Sequence, residues 1–376
     1  MKSFIDEHPE KVMMVVALAL TTMGLIFIYS SSGPFCKFLK PPRPTWHFLM
    51  KQSIWAVFAV VAMLVAYRMN YELIIKISPF LMLLSIVGLI VVFPLSGREI
   101  KRWINIGGFT VQPSEFFKIA AVAFLARIAA RRPTGPNGYK KFLGPLGIIL
   151  VGIFLVVREP DLGTSALILG VVIFLLFLSG FPQKYILLLG ATGLILGSLL
   201  VFVKGYEKDR VDAYQITLKD PFASKASYQT RQSLVSLGSG GLLGKGLANG
   251  GQKHLFLPAR HTDFIISAAA EEGGFVVVSL IMVLFGLLAW SGYRIADSAI
   301  DVEGAMLAWG LTLMIMVQAI INIGVALGLF PITGMTLPFL SYGGSSLVMC
   351  SVSVGMVASI YRRTRSPLGY FKRIRV

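Results

Sequence analysis

The sequence predicts an all-α polytopic membrane protein, with about ten transmembrane helices in one domain that covers residues 1–376. Hydrophobic residues make up 55% of the chain and charged residues only 14%. Apolar runs of about 20 residues, the length that crosses a bilayer as a helix, recur from one end of the chain to the other. The charged residues crowd into the passages between these runs, so a soluble globular fold is excluded.

Ten apolar segments follow one another and define the predicted helices. The first follows a start that carries Asp6, Glu7 and Glu10 and shows no small-residue cleavage pattern, so we expect it to stay as a span. Three segments are weaker than the rest, because 114–130 carries charges, 142–157 contains a Gly-Pro pair and 163–179 is short. The predicted spans are 12–30, 49–67, 77–95, 114–130, 142–157, 163–179, 184–203, 264–289, 304–330 and 343–361.

The last residues of the chain set the predicted orientation. The tail 362–376 holds several arginines and lysines and no acidic residue, which marks the cytoplasmic side. Counting back across the last three spans places the long loop at about 204–263, between helices 7 and 8, outside the cytoplasm. An even number of spans then puts both termini in the cytoplasm.

Charge and cysteine content narrow the class of partner. The net charge of +17 indicates contact with anionic groups at a membrane surface, including lipid phosphates. The basic residues are spread over many loops with no single patch, which argues against nucleic acid. Only two cysteines occur, Cys36 and Cys350, so we expect neither a disulfide framework nor a cysteine metal site.

Two predicted outer segments carry charges that we expect to be ordered. In residues 96–118, Glu115 and Lys118 are three apart, so a helix places them on one face, where they can form an ion pair. In residues 158–165, Glu159 and Asp161 stand beside Arg158, and Asp161 is suited to cap the helix that follows. For both groups a structural ion network is the favoured interpretation over a direct role in chemistry.

The last two spans carry polar groups at membrane depth. Gln318 and Asn322 are four residues apart on one helix face, where hydrogen bonds between helices are the favoured role. The segment between 330 and 347 contains two prolines and three glycines and cannot continue a regular helix. Irregular backbone at membrane depth must be covered by protein or line a water-filled cavity, so we expect this segment to line or close a site.

The glycine-rich run SLGSGGLLGKGLANGG matches neither the phosphate-loop nor the dinucleotide pattern. Its backbone can still approach an anion closely, with Lys245 adding a charge, and a plain flexible loop is an equal alternative. Downstream, the spacing of His254, His261, Asp263 and the two glutamates Glu271 and Glu272 fits no familiar metal-ligand pattern, so we predict no metal held by the protein.

Asp263 is the acidic residue most suited to chemistry. It stands where the apolar run resumes at Phe264, next to Arg260 and His261. One interpretation is a first-turn acid stabilised by the helix dipole; the other is a reactive carboxylate. The dipole and Arg260 would lower its pKa, whereas apolar surroundings would raise it, and both outcomes stay open.

The chain resembles, over nearly its full length, the SEDS family of bacterial cell-wall synthesis, which contains FtsW, RodA and SpoVE. The last of the shared motifs is more similar to the cell-division branch, FtsW, than to the RodA branch. Three departures from the family pattern occur, at Ala259, at Ile266-Ser267 and at Asn70. The matching stretches are YSSSGP (29–34), KRWINIGGFTVQPSEFFK (101–118), REPDLGTS (158–165), SLGSGGLLGKGLANGGQKHLFLPARHTDFIISAAAEEGG (236–274) and FPITGMTLPFLSYGGSS (330–346).

This resemblance implies an inverting peptidoglycan glycosyltransferase that polymerises lipid II at the outer face of the bacterial cytoplasmic membrane. It implies that Asp263, in the family's His-Thr-Asp-Phe motif, is catalytic. We expect basic groups to bind the pyrophosphate and sugar, and other acids to support them through ion pairs. The expected binding residues are Arg102, Lys118, Arg231, Lys245, Arg260 and His261, and the expected supporting residues are Glu115, Glu159, Asp161 and Glu271.

The implied partners are lipid II, a class B penicillin-binding protein (a transpeptidase), other proteins of the division or elongation machinery, and membrane lipids, but no nucleic acid. No cofactor held by protein ligands is expected, although Mg²⁺ or Mn²⁺ can accompany a pyrophosphate. Three alternatives stay open: a lipid II flippase, a RodA-like polymerase of cell elongation, and a structural platform for the transpeptidase. The basic outer loops and polar intramembrane residues would also suit translocation.

Overall fold

The computed structural model describes residues 4–38, 41–95, 102–107, 109–129, 138–202, 208–220, 223, 227–250 and 257–365. These residues form thirteen helices and one two-stranded hairpin. The helices are α1 (Phe4–Glu7), α2 (Pro9–Phe38), α3 (His47–Arg68), α4 (Tyr71–Leu95), α5 (Pro113–Ala129), α6 (Lys140–Arg158), α7 (Leu162–Leu178), α8 (Gln183–Phe202), α9 (Lys208–Lys219), α10 (Tyr228–Ser239), α11 (Ile265–Asp297), α12 (Val302–Ala326) and α13 (Gly344–Thr364); the strands are β1 (Ile104–Ile106) and β2 (Phe109–Val111).

Each of the ten predicted spans coincides with a helix, namely α2 to α8 and α11 to α13. Within the described residues, seven of these helices are long and apolar enough to cross a membrane, and α7 and α8 are shorter apolar helices. The remaining one, α5, carries Glu115, Lys118 and Arg127, yet 15 of its 17 residues are buried. Because other helices surround α5, its surface does not face lipid, and its charged side chains are tolerated inside the bundle.

The helices pack as one bundle with α5, α12 and α13 at its centre. α12 contacts α5, α7, α11 and α13, while α13 lies along α3 and α11 lies along α2. The buried hydrophobic side chains of these helices form one continuous cluster. The chain is therefore a multi-pass helical membrane protein, as the apolar runs predict.

Three features differ from the sequence prediction. The predicted outer segment at 96–118 contains a hairpin, in which Ile104 pairs with Val111 across Gly107. The described residues therefore include one small sheet besides the helices. The long loop at 204–263 contains two helices, α9 and α10. Helix α11 is longer than the predicted segment 264–289 and is broken at Gly274, where the φ angle is +65°. Hydropathy averaging detects long apolar segments and gives no signal for a short hairpin, for polar helices or for a break within a helix.

The segment between α12 and α13 has no regular secondary structure, as its prolines and glycines predict. Its central residues Leu337, Phe339 and Leu340 are buried, and the backbone of Leu340 lies directly against Gly24 of α2. Protein therefore covers this irregular backbone on one side. Its other side borders the cavity described below.

Candidate active site

A cavity of about 640 Å³ lies where the hairpin segment, the starts of α5 and α7, the turn before α11 and the irregular segment meet. Its wall combines acids, cations and amides with a few apolar groups. The lining residues are Arg102, Trp103, Gln112, Glu115, Lys118, Asp161, Thr164, Thr262, Asp263, Gln318, Gly334, Met335, Thr336 and Tyr342. The structure thus brings together residues from four of the five motifs that carry the family resemblance.

The turn that carries Asp263 is held by its backbone. Three consecutive carbonyls, those of residues 261 to 263, each accept a hydrogen bond from α12 or from the irregular segment. The donors are Tyr342 N–H to His261 (2.9 Å), Ser341 Oγ to Thr262 (2.6 Å) and Asn322 Nδ2 to Asp263 (2.9 Å). Because Asn322 Nδ2 also donates to the carbonyl of Met335 at 2.7 Å, one amide ties the turn to the cavity wall. These bonds fix the backbone from which the Asp263 side chain enters the cavity.

Gly334 marks an open space that faces an acid and a cation together. A methyl group added to Gly334 would lie 3.8 Å from Arg102 Nη1 and 4.0 Å from Asp263 Oδ2. The φ angle of Gly334 is +75°, a conformation that favours glycine over any residue with a side chain. The backbone therefore leaves free the volume that the carboxylate and the guanidinium share.

Arg102 is oriented by contacts with the connection between α6 and α7. Its Nε donates to the carbonyl of Glu159 at 2.8 Å, and its Nη1 lies 3.9 Å from Asp161 Oδ2. Asp161 in turn accepts from Thr164 N–H at 3.0 Å and so caps α7, as predicted. The guanidinium is pre-positioned by these contacts, with Nη1 directed toward the space over Gly334.

Glu159 does not take the ionised role that the predicted charge network gives it. The residue is fully buried, and its two carboxylate oxygens make no hydrogen bond within the described residues. Burial, reinforced by the negative charge of Asp161, raises its pKa from 4.5 to about 8, against the opposing influence of Arg102. Glu159 is therefore mostly neutral at pH 7, and only its backbone serves Arg102.

The predicted ion pair of Glu115 and Lys118 is present at the inner wall of the cavity. Lys118 Nζ lies 2.8 Å from Glu115 Oε2 and also donates to Gln318 Oε1 at 2.7 Å. Gln318 extends this hydrogen-bond network to the irregular segment, because its Nε2 donates to the carbonyl of Thr336 at 2.9 Å. Gln318 thus joins α12 to α5, as predicted, and also lines the cavity, which the sequence did not reveal. Asn322 instead bonds the turn and the irregular segment, and not another helix.

Arg260 and Lys245 occupy a separate ionic cluster and are absent from the cavity lining. Arg260 is buried, with Nη2 at 3.1 Å from Glu271 Oε2 and 3.3 Å from Glu272 Oε1. Lys245 Nζ lies 3.1 Å from Glu271 Oε1, and Ser30 Oγ donates to Glu272 at 2.6 Å. Glu271 supports a network as expected, but it holds Arg260 and Lys245 away from the cavity in which Asp263 lies. Closeness in sequence to Asp263 does not tell which way so long a side chain turns.

Arg231 and His261 also stand outside the cavity lining. The Arg231 guanidinium lies over the ring of Tyr228, 5.5 Å from its centroid, on α10. The His261 ring packs against Phe48 and Tyr342, at centroid distances of 4.9 and 5.8 Å. Burial lowers the pKa of His261 to about 4, so the ring is neutral at pH 7 and cannot serve as a cationic ligand.

Several lining residues were missed by sequence reasoning. Trp103, Gln112, Thr164 and Tyr342 all lie in the quoted motifs, yet none has a pattern that marks it alone as functional. Of the acids and histidines that the structure describes, no three come together in a group that could hold a metal ion. His254 lies outside the described residues.

Comparison with known proteins decides the family. Residues 10–366 match the sequence model of the FtsW/RodA/SpoVE family, described as cell cycle proteins. The chain belongs to this family. It is 36% identical over 365 residues to the stage V sporulation protein E of Bacillus subtilis (strain 168), covering 95% of this chain and 98% of that protein. It is also 36% identical over 365 residues to a probable peptidoglycan glycosyltransferase FtsW of Geobacter sp. (strain M18), covering 96% and 98%.

A solved structure shows the same fold. One chain of a peptidoglycan synthase complex, solved to show how polymerization and crosslinking are coordinated, superposes with a TM-score of 0.73 at 25% identity. The match covers 94% of this chain and 98% of that one. The family fold therefore extends across the whole bundle that builds the cavity.

Proposed function

We propose that this protein is a peptidoglycan glycosyltransferase that polymerises lipid II, with Asp263 as the general base in the cavity. Relatives that share about a third of its residues over nearly their full length carry this activity in their names. The observation that carries the proposal is the shared space over Gly334, which Asp263 Oδ2 and Arg102 Nη1 both approach. A base and a cation on one reacting centre suit a displacement with an anionic leaving group.

The reaction follows from this geometry. Asp263 removes the proton from the acceptor 4-hydroxyl while that oxygen attacks the anomeric carbon of the donor. The bond from this carbon to the pyrophosphate oxygen breaks, and the pyrophosphate leaves with the electron pair, stabilised by Arg102. A single displacement inverts the anomeric carbon from α to β, so one base is enough, by analogy with inverting glycosidases.

The other acids of the region have different tasks. Glu115 is paired with Lys118, Asp161 caps α7 and faces Arg102, and Glu159 is mostly neutral at pH 7. Asp263 is thus the acid whose position and surroundings suit a base. Lys118 lines the same cavity and adds positive charge at the side of the pyrophosphate. A Mg²⁺ or Mn²⁺ ion would arrive with the pyrophosphate and not be held by the protein.

The cellular setting of the proposal comes from topology and family. The basic tail beyond α13 supports a cytoplasmic C-terminus, and on this orientation we take the turn with Asp263 to lie at the outer face of the bacterial cytoplasmic membrane, with lipid II. The match to a chain of a synthase complex supports a crosslinking partner, which we take to be a class B penicillin-binding protein. The identity to FtsW and the motif at 330–346 favour septal wall synthesis over a RodA-like role in elongation.

Purified full-length protein in liposomes with labelled lipid II tests the proposal. We expect glycan strands that lysozyme digests, with and without an added transpeptidase. If lipid II crosses the bilayer and no polymer forms under either condition, the protein is a lipid transporter and the proposal is wrong. If neither polymer nor translocation occurs while the protein supports its partner's activity, it is a structural platform.

A further inference from the structure

We propose that residues 240–247 of the glycine-rich run form a hairpin that inserts its leucines among the acyl chains of the bilayer, at the Asp263 end of α11. From its sequence this run is expected in the long outer loop, as an anion-binding or flexible passage. The proposal concerns a membrane-binding surface and is independent of the role of Asp263. Four features of the described residues support it.

The first feature is the break in α11. The helix has 33 residues, about 50 Å at the usual rise, whereas the hydrocarbon core is about 30 Å thick. The part after Gly274, residues 275–297, is about 35 Å long and spans the core by itself. Residues 265–272 are all buried in the protein. The break at Gly274 therefore lies near the level at which the chain enters the apolar core.

The second feature is that four backbone hydrogen bonds join the hairpin to this break and a fifth closes the hairpin itself. The five bonds are Lys245 N–H to the Glu271 carbonyl (3.0 Å), Gly246 N–H to the Glu272 carbonyl (3.0 Å), Phe275 N–H to the Gly241 carbonyl (2.9 Å), Val276 N–H to the Leu242 carbonyl (3.2 Å) and Gly244 N–H to the Gly240 carbonyl (2.8 Å). Unpaired backbone groups are costly in hydrocarbon, so this pairing suits a hairpin whose backbone stays at the membrane boundary while its side chains reach the acyl chains. Three of these bonds use the N–H groups of Gly244, Lys245 and Gly246, which are therefore not available to an anion.

The third feature is the close approach that the glycines permit. A side chain on Gly240 would collide with the carbonyl of Ala270, and one on Gly244 with the carbonyl of Glu272. On the other side, a side chain on Gly274 would collide with the backbone of Gly244. Gly244 and Gly274 also have positive φ angles, of +78° and +65°. The glycines thus let two backbones meet directly, so this run is a fixed element and not a flexible loop.

The fourth feature is the surface that results. Leu242, Leu243 and Leu247 are 73%, 81% and 60% exposed, and they continue the exposed apolar side chains Phe275 and Val276 of α11. The exposure of these three leucines to water would cost free energy, whereas their contact with lipid would be favourable. Lys245, which is part of the hairpin, is held by Glu271 at 3.1 Å, and its long stem can reach the interface. Because the surface continues that of a membrane span, acyl chains are the occupant that fits it.

Spin labelling of the full-length protein in liposomes tests this proposal. In a background with Cys36→Ala and Cys350→Ala, Leu243→Cys carries a nitroxide, and its collisions with oxygen and with a water-soluble nickel chelate are compared. Val283→Cys, exposed on α11 within the span, serves as the lipid reference, and Pro42→Cys, exposed between α2 and α3, as the water reference. Leu247→Cys repeats the measurement if Leu243→Cys does not fold.

We expect the label at 243 to favour oxygen over nickel, as at Val283. A preference for nickel, as at Pro42, would overturn the proposal and leave the hairpin in water, available to a soluble partner. Protection from both reagents would also overturn it, because the leucines would then be covered by protein. Loss of polymerisation in Asp263 variants, or its persistence, has no bearing on either result.

Discussion

Asp263 Oδ2 and Arg102 Nη1 face the same empty volume, within 4.0 and 3.8 Å of the point where a side chain on Gly334 would begin. One atom can accept a proton and the other can stabilise a departing anion. The backbone of Gly334, at a φ angle of +75°, leaves this space free. Several measurable consequences follow from the relationship between these residues.

Gly334→Ala is expected to abolish most polymerisation. The added methyl group enters the space of the reacting atoms, and the positive φ angle adds about 1–2 kcal/mol of backbone strain. Gly238→Ala is the matched control, because Gly238 has open space around its backbone and is not at positive φ. Initial rates of both variants, with their melting temperatures, separate blockage from unfolding. Full activity of Gly334→Ala would show that the reaction takes place elsewhere.

Arg102→Ala is expected to lower kcat/KM by about 10²-fold or more, the usual effect of removing one electrostatic donor from a transition state. Arg231→Ala is the control, since Arg231 lies over Tyr228 and outside the cavity lining. The two variants lose the same charge, so a general effect of charge on lipid II capture would affect both equally. Equal losses in a kinetic comparison would contradict the assignment of Arg102.

Asn322→Leu is expected to reduce kcat while leaving the affinity for lipid II nearly unchanged. The substitution removes the donor that holds the carbonyls of Asp263 and Met335, so the carboxylate loses its orientation. Losses of ten-fold or more accompany small misplacements of reacting groups. Ser353→Ala, which removes a buried hydroxyl bond inside α13, is the control for stability. A change in KM alone would instead indicate a role in substrate binding.

Glu159→Gln is expected to change the pH dependence of stability but not the activity at pH 7. A carboxyl whose pKa rises from 4.5 to about 8 on folding keeps its proton in the folded state and releases it in the unfolded state between these values. Its stabilising effect is complete below pH 4.5 and is lost as the pH rises to about 8. The melting temperature of the variant should therefore change less with pH between 4.5 and about 8 than that of the wild type. An unchanged profile would show that Glu159 is already ionised in the folded protein.

The helices were predictable because length and apolarity dominate the local signal in a membrane protein. Each of the ten predicted segments coincides with a helix, and seven of these helices in the described residues are long and apolar enough to cross a membrane. The irregular backbone at 331–343 follows from its prolines and glycines. The hairpin before α5 and helices α9 and α10 were not predicted, since short polar elements have no such signal. The break at Gly274 depends on packing against another part of the chain.

The candidate site was predictable only in part, for a related reason. Asp263 directly precedes α11, and Glu115 and Lys118 lie in the first two turns of α5, so their positions follow from the predicted helices. Arg260 is different, because its long side chain turns toward Glu271 and Glu272, which sequence spacing does not show. Asn322 and Gln318 were expected to join helices, and only the structure reveals which carbonyls they hold.

The rate of glycan polymerisation by Asp263→Asn tests the central claim most directly. The variant keeps the size of the side chain and loses the base, so we expect a fall on the order of 10²–10⁴-fold, or ~3–5 kcal/mol in the barrier, with lipid II binding retained. Asp212→Asn, at an exposed position on α9, should polymerise at the wild-type rate. Equal rates for Asp263→Asn and Asp212→Asn, in folded protein, would contradict the assignment of Asp263 as the base.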